Sequence, residues 1–312
     1  MSILFHPPLP RTVVFLSFRY ERPMASHREA YVSMLTNDSY LPGLEALLSS
    51  LVSTGTRREL VVVVTPNVSR TTRSKLAGTA ARVVEVEPLG GPEEEASGTS
   101  WSGSGYTKLR VWELCEYAKI VFVDADAVVL ENVDDLFERN VDFAAAPDVF
   151  PPDKFNAGVF LATPSKETFE NMRKAIPLLT SHDRGDTGFL NSFFGDWYQR
   201  PPAARLPFRY NAQRTLYWMT HDREPGYWEA CKPIKVLHFS SSPKPWQSTN
   251  KKGHLDLIWW HHYLARQHIK QTTSTSNLLA SFLGEEEGGV AQNIKETTTA
   301  EGLLSSLGGA GF

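Results

Sequence analysis

Asp124 and Asp126 are the residues on which chemistry is most readily built. They flank Ala125 at the end of the apolar run Lys119-Ile-Val-Phe-Val123. That run is short and β-branched, as expected of a strand buried on both faces of a sheet. In extended backbone, residues i and i+2 project to one side, so both carboxylates are expected to leave the strand's carboxyl end together. Open α/β sheets bind their ligands at that end. Two hard oxygen ligands side by side suit a divalent cation, and such a cation suits a diphosphate. The plainer reading is a polar strand exit with two solvated carboxylates, so the surrounding chain has to decide.

The elements that would position this pair follow a βαβαβ rhythm. Tyr31–Leu35 reads as a first strand, and Thr36-Asn37-Asp38-Ser39-Tyr40 as a turn of cap formers. A helix over 41–52 follows, with Leu44, Leu47, Leu48 and Leu51 at helical spacing. Glu59–Val64 and Arg82–Val86 are further strands, separated by a helix over 69–80. This predicts an α/β chain with a Rossmann-like, mostly parallel central sheet flanked by helices. Its first strand-to-helix turn offers backbone amides to a nucleotide.

Other polar residues stand at the ends of expected elements, each with two readings. Lys108 and Arg110, on an expected helix over 106–114, are either solvated helix charges or phosphate and sugar ligands. Asn156, Ala157 and Gly158 open an apolar strand: either a tight turn, or small residues that let backbone approach a ligand. Asp183 and Asp186 precede a helix beginning at Phe189. They are either dipole-complementing caps, or carboxylates that hold sugar hydroxyls and favour positive charge at an anomeric carbon. His238 ends the last strand, 235–239, as a satisfied core residue or a ligand, and Lys244 follows in a proline-rich loop. The many Trp and Tyr residues of 197–230 are core or an acceptor platform.

Composition excludes several classes. A net charge of −3 over 312 residues makes no electrostatic case for nucleic acid or an anionic membrane. Cys115 and Cys231 alone make no disulfide framework and no zinc pair, which suggests a reducing, cytoplasmic setting. No apolar run approaches the ~20 residues of a spanning helix, and no secretory signal is read. Three segments are expected: an N-terminal extension 1–30, a catalytic domain 31–266, and a Ser/Thr/Gly/Glu-rich, mostly disordered tail 267–312. Residues 89–105 are expected to be a mobile loop.

Six motifs in order resemble glycosyltransferase family 8, in its glycogenin-like and galactinol synthase-like branches. They are Leu-Thr-Asn-Asp-x-Tyr at 35–40, Tyr-Thr-Lys-Leu-Arg-x-Trp at 106–112, Phe-Val-Asp-Ala-Asp at 122–126, Phe-Asn-Ala-Gly-Val-Phe at 155–160, Gly-Asp-x-Gly-x-Leu-Asn at 185–191, and Leu-His-Phe with Lys-Pro-Trp at 237–246. The resemblance covers about Tyr31 to Tyr263. It implies a GT-A nucleotide-sugar transferase fold, a UDP-hexose donor, Mn²⁺ rather than Mg²⁺, and retention of anomeric configuration. It also implies a sugar, polyol or protein-linked glycan as acceptor; whether the chain works alone or as a homodimer is left open by the sequence. Carried over by position, Asp124, Asp126 and His238 are the metal ligands. Leu35, Thr36, Asn37 and Tyr40 resemble the uridine loop, and Ala125 belongs to the donor-binding set. Lys108 and Lys244 resemble donor-sugar and diphosphate contacts. Asn156, Ala157, Gly158, Asp183, Asp186 and Thr187 resemble the donor-sugar and catalytic set. The chain departs from the glycogenin pattern at Thr187, where Gln is the rule, and in lacking an arginine in the loop before Lys108. The tyrosine that self-glucosylating members modify falls near Tyr217 and Trp218.

The expected activity is therefore a retaining, Mn²⁺-dependent hexosyl transfer, glucose or galactose, from a UDP-sugar to a hydroxyl. Three alternatives carry their own signatures. A glycogenin-like primer would glucosylate itself. A nucleotidyltransferase would release pyrophosphate from an NTP and a sugar phosphate. A silent nucleotide-sugar-binding scaffold would bind donor tightly without turnover.

Overall fold

The computed structural model describes residues 28–91, 105–151, 153–224, 226–247 and 253–265. The proposed tail 267–312, most of the 1–30 extension and most of the 89–105 loop lie outside the described residues.

A six-stranded sheet forms the centre, built from β1 (Glu29–Leu35), β2 (Glu59–Val64), β3 (Arg82–Glu85), β4 (Lys119–Val123), β6 (Phe143–Pro147) and β7 (Phe155–Ala162). Its order is β3-β2-β1-β4-β7-β6. The first four strands run parallel, and β7 and β6 run antiparallel beyond β4. The mostly parallel sheet expected from the βαβαβ rhythm is therefore present, with an antiparallel edge. Strand β1 begins at Glu29, two residues before the expected Tyr31.

Both faces of the sheet are covered, which explains the unbroken apolar strands. Tyr31, Leu35, Val62, Val64, Val121 and Val123 face one core with helix α1 (Leu41–Ser53). Ala30, Val32, Val61, Val63, Ile120 and Phe122 face the other. There they meet Leu109 and Trp112 of a 3₁₀ stretch, Thr107–Glu113. Pro42 stands at the start of α1, where its missing N–H costs nothing. Ser69 caps α2 (Arg70–Ala77) and Ser165 caps α3 (Lys166–Ala175), each accepting from an amide three residues on. Helix α4 (Asp186–Phe193) starts at Asp186, three residues before the expected Phe189.

A second, three-stranded sheet is not evident in the sequence. It runs β5 (Ala127–Val129), β9 (Val236–His238), β8 (Ala212–Gln213). Helices α5 (Arg214–Thr220), α6 (Tyr227–Ala230) and α7 (254–265) lie near it in sequence. Phe208, Trp228, Leu237, Phe239, Leu255 and Trp259 fill its core.

Candidate metal and donor site

The two aspartates do come together, but not on a strand. β4 ends at Val123, and the Ala127 amide donates to the Asp124 carbonyl at 3.0 Å, closing a turn over 124–126. The chain then enters the second sheet as β5. The turn, rather than strand alternation, gathers the carboxylates at the junction of the two sheets.

His238 reaches the same place through strand register. It stands opposite Ala127 in the β5–β9 ladder, and the Phe239 amide donates to the Asp126 carbonyl at 2.9 Å. One ligand atom from each of Asp124, Asp126 and His238 lies within 4.8 Å of the others. Among the described residues this is the one such group of three or more His, Cys, Asp or Glu.

The third wall is β7. Between the pairs Ala145–Phe160 and Ala146–Asn156 the register slips, so β7 bulges at 157–159. The Gly158 carbonyl accepts from the Asp124 amide at 2.8 Å. A Cβ at Gly158 would sit 2.2 Å from His238 Cε1. The glycine thus makes room for the imidazole, whereas the sequence had suggested room for a ligand. Gly43 of α1 plays the same part on the opposite side, where a Cβ would lie 2.5 Å from the Ala125 carbonyl and 2.7 Å from the Trp246 ring.

A hydrogen-bond chain sets the imidazole's tautomer. The Gly158 amide can only donate, so the Asn156 atom 2.9 Å away is its Oδ1. Asn211 therefore offers Nδ2 to that oxygen, at 2.9 Å, and turns Oδ1 toward His238. His238 Nδ1, 2.8 Å from Asn211 Oδ1, must carry the proton. In the neutral imidazole Nε2 is left with its lone pair, 3.3 Å from Asp126 Oδ1, free to ligate a cation; in the imidazolium it donates to that oxygen instead. Two acceptors in that position suit a shared cation, and an imidazole beside two carboxylates suits Mn²⁺ better than Mg²⁺. The residues present therefore fit the implied metal. Asn211, fully buried, was not recognised in the sequence.

Two lysines flank the carboxylates. Lys244, 6% exposed, donates to Asp126 Oδ2 at 2.6 Å and to the Phe239 carbonyl at 2.8 Å. Lys108 lies 3.0 Å from Asp124 Oδ1 and 2.5 Å from Asp186 Oδ2, and donates to the Ala157 carbonyl at 3.2 Å. Burial pushes the Asp124 carboxyl up to about 6, against the opposing pull of Lys108. Burial pushes Asp126 the same way, but the positive charges of a doubly protonated His238 and of Lys244 outweigh it and hold its pKa well below the usual carboxylate range. Burial also disfavours the Lys108 ammonium, and Asp124 and Asp186 more than compensate, raising its pKa.

The remaining candidates divide. Leu35 is buried at the end of β1, and the Thr36 carbonyl accepts from Thr65 Oγ1 at 2.9 Å. Asn37 caps the turn 38–40, its Oδ1 accepting from the Ser39 amide at 3.0 Å. Tyr40 packs edge-on against Trp246 at 5.5 Å, and burial, then Asp126 and Asp124, raise its phenol pKa. Its ring centroid lies 5.9 Å from Lys244 Nζ, so the first turn does border the carboxylate cluster. Ala157 is buried, and its amide donates to Thr187 Oγ1 at 3.4 Å. Asp186 joins the cluster through Lys108. Asp183 does not: it is exposed, and its Oδ1 accepts from Ser181 Oγ at 2.7 Å and from the Gly185 and Gly188 amides, both at 2.9 Å. That is the capping reading of the pair. Arg110 turns away, bonding the Glu87 carbonyl and Glu113. Cys115 and Cys231 are free thiols; Cys115 is exposed, although its sequence neighbours Trp112, Leu114 and Tyr117 are apolar and buried.

No helix among the described residues is long and apolar enough to cross a membrane. Residues 31–250 match the family model described as Glycosyl transferase family 8. Glycogenin-1 of Oryctolagus cuniculus is 36% identical over 274 residues, which cover 81% of this chain and 78% of the relative. Galactinol synthase 1 of Solanum lycopersicum is 29% identical over 267 residues, covering 75% and 81%. The chain spans only 59 to 66% of three further glycogenin relatives. The galactosyltransferase LgtC, solved with donor and acceptor sugar analogues, superposes with a TM-score of 0.55 at 19% identity, over 76% of this chain and 95% of that one. At that identity the likeness is one of fold.

Proposed function

Because this chain belongs to glycosyltransferase family 8, we propose that it moves a hexose, glucose or galactose, from a UDP-sugar to a hydroxyl acceptor, with retention and with Mn²⁺ as cofactor. The observation that carries this reading is the convergence of Asp124, Asp126 and His238 within 4.8 Å, flanked by Lys108 and Lys244.

In this reading Asp124 and Asp126 supply oxygen ligands to the cation, and His238 supplies Nε2. A cation held there would supply Lewis acidity to the donor's diphosphate. Asn211 holds the imidazole in the tautomer that ligation needs. Leaving UDP accumulates negative charge, and Lys244 stands beside the ligand Asp126, placed to stabilise it. The sugar becomes oxocarbenium-like, and carboxylates near it favour that charge. Asp186 is placed for this by Lys108, which ties it to Asp124. Asn156, paired with Ala146 at the edge of the β7 bulge, acts with it. Asp183 shapes the turn that starts α4. The first turn, Leu35 to Tyr40, borders the cluster and would receive the uridine.

The acceptor is a sugar, a polyol or a protein-linked glycan, met in the cytoplasm by a monomer or a homodimer. The catalytic domain is 31–266. The test is UDP release by the purified chain with Mn²⁺ and a panel of UDP-sugars. Release from one donor, abolished by EDTA and by Asp126→Asn, supports the transferase. Release of pyrophosphate from an NTP and a sugar phosphate would replace it with a nucleotidyltransferase. Tight donor binding without release under any acceptor would favour a scaffold.

A further inference from the structure

Arg214 is 2% exposed, and its guanidinium donors are committed to three residues on two parts of the chain, Asp256 on α7 and Ser241 and Pro243 in one loop. Nη1 meets Asp256 Oδ1 of α7 at 2.9 Å. Nη2 donates to the Ser241 carbonyl at 3.0 Å, to Ser241 Oγ at 3.0 Å and to the Pro243 carbonyl at 2.7 Å. Nε donates to Ser241 Oγ at 3.2 Å. Its carbon Cζ also lies 5.3 Å from the centroid of the Phe239 ring.

Every one of the loop contacts falls on the segment that presents Lys244. Pro243 is the residue before it. Phe239 provides the carbonyl that, with Asp126, receives the Lys244 ammonium. The loop from Phe239 to Lys244 has no ladder of its own beyond β9, which ends at His238. A planar fork with five donors can grip two carbonyls, a hydroxyl and a carboxylate at once, whereas a lysine offers one point charge. We propose that Arg214 is a positioning residue. It holds the 239–244 loop so that Lys244 stands at Asp126, where the diphosphate binds. This rests on the reading of Lys244 as a diphosphate contact.

The test is a double-mutant cycle read by nucleotide binding instead of turnover. Dissociation constants for UDP and UMP, both with Mn²⁺, are measured for the wild type, Lys244→Met, Arg214→Met and the double variant. Lys244→Met is expected to weaken UDP by about 10- to 100-fold more than UMP, the loss of one charge-assisted hydrogen bond to the second phosphate. Arg214→Met is expected to lose most of the same UDP-over-UMP preference, and the double variant to lose no more than Lys244→Met alone. Asp256→Asn serves as the stability control. It weakens the tie to α7 but leaves the loop carbonyls gripped, so its melting temperature falls while its UDP-over-UMP preference stays within about twofold of wild type.

Additive losses in the double variant would overturn the proposal, as would an Arg214→Met protein with an unchanged preference. So would an Asp256→Asn protein that loses as much preference as Arg214→Met, since the effect would then be one of general stability. An unchanged preference in Lys244→Met would overturn the underlying reading of Lys244 itself, a result distinct from the others.

Discussion

His238 Nδ1 and Asn211 Oδ1 stand 2.8 Å apart, and this contact decides which imidazole nitrogen faces Asp126. Asn211 in turn is fixed by Asn156 and, through it, by the Gly158 amide. The chain of bonds runs from a strand bulge to the His238 imidazole through amide groups alone.

Asn211→Ala removes the group that selects the tautomer. Mn²⁺ affinity, measured by titration calorimetry or by the free-Mn²⁺ electron paramagnetic resonance signal, is expected to fall about 10- to 100-fold, as is usual for a partner behind a ligating histidine. Unchanged affinity would mean that the His238 orientation has another support.

Gly43→Ala places a methyl group 2.5 Å from the Ala125 carbonyl and 2.7 Å from the Trp246 ring. Backbone cannot yield as a flexible side chain does, so the cost is expected to be about 1–3 kcal/mol. That lowers the melting temperature by roughly 2–4 °C per kcal/mol in a domain of this size. Mn²⁺ affinity should fall with it, because the displaced carbonyl belongs to the turn between the two aspartates.

Asp183 closes the turn before α4 through one oxygen, which accepts three hydrogen bonds. Asp183→Ala is expected to cost about 0.5–2 kcal/mol of stability, the range for a lost cap. Asp183→Asn keeps an acceptor oxygen at that position and should recover most of the loss. Thermal melts of the pair separate the cap from the charge.

Burial beside His261 lowers the His262 pKa to about 4, from about 6.5 in the unfolded chain. Between those values the unfolded chain binds a proton that the folded chain refuses. Stability from this group is therefore full above pH 6.5 and is lost as pH falls toward 4. Melting temperature measured across that window should drop less in His262→Gln than in the wild type.

Much of the architecture was legible because apolar runs of β-branched residues are the signal of doubly covered strands. Glu59–Val64 and Lys119–Val123 could hardly be anything else. The second sheet was not legible. β5 and β9 are three residues long and β8 two, too short to carry a period, and β5 continues the same apolar run after a turn. Asp124, Asp126, His238 and the two lysines were visible as charges at element ends. Asn211 and Arg214 were not, since neutral or paired polar residues inside an aromatic-rich stretch look like ordinary loop. Only their neighbours in space, Asn156 and the 239–244 loop, reveal what they do.

The most direct test of the central claim is UDP binding by calorimetry, with and without Mn²⁺, for the wild type and Asp126→Asn. The account predicts measurable UDP binding by the wild type with Mn²⁺, a large loss when EDTA is present, and the same loss in Asp126→Asn with Mn²⁺. Wild-type UDP binding that ignores both the metal and the substitution would contradict the assignment of Asp124, Asp126 and His238 as the metal site.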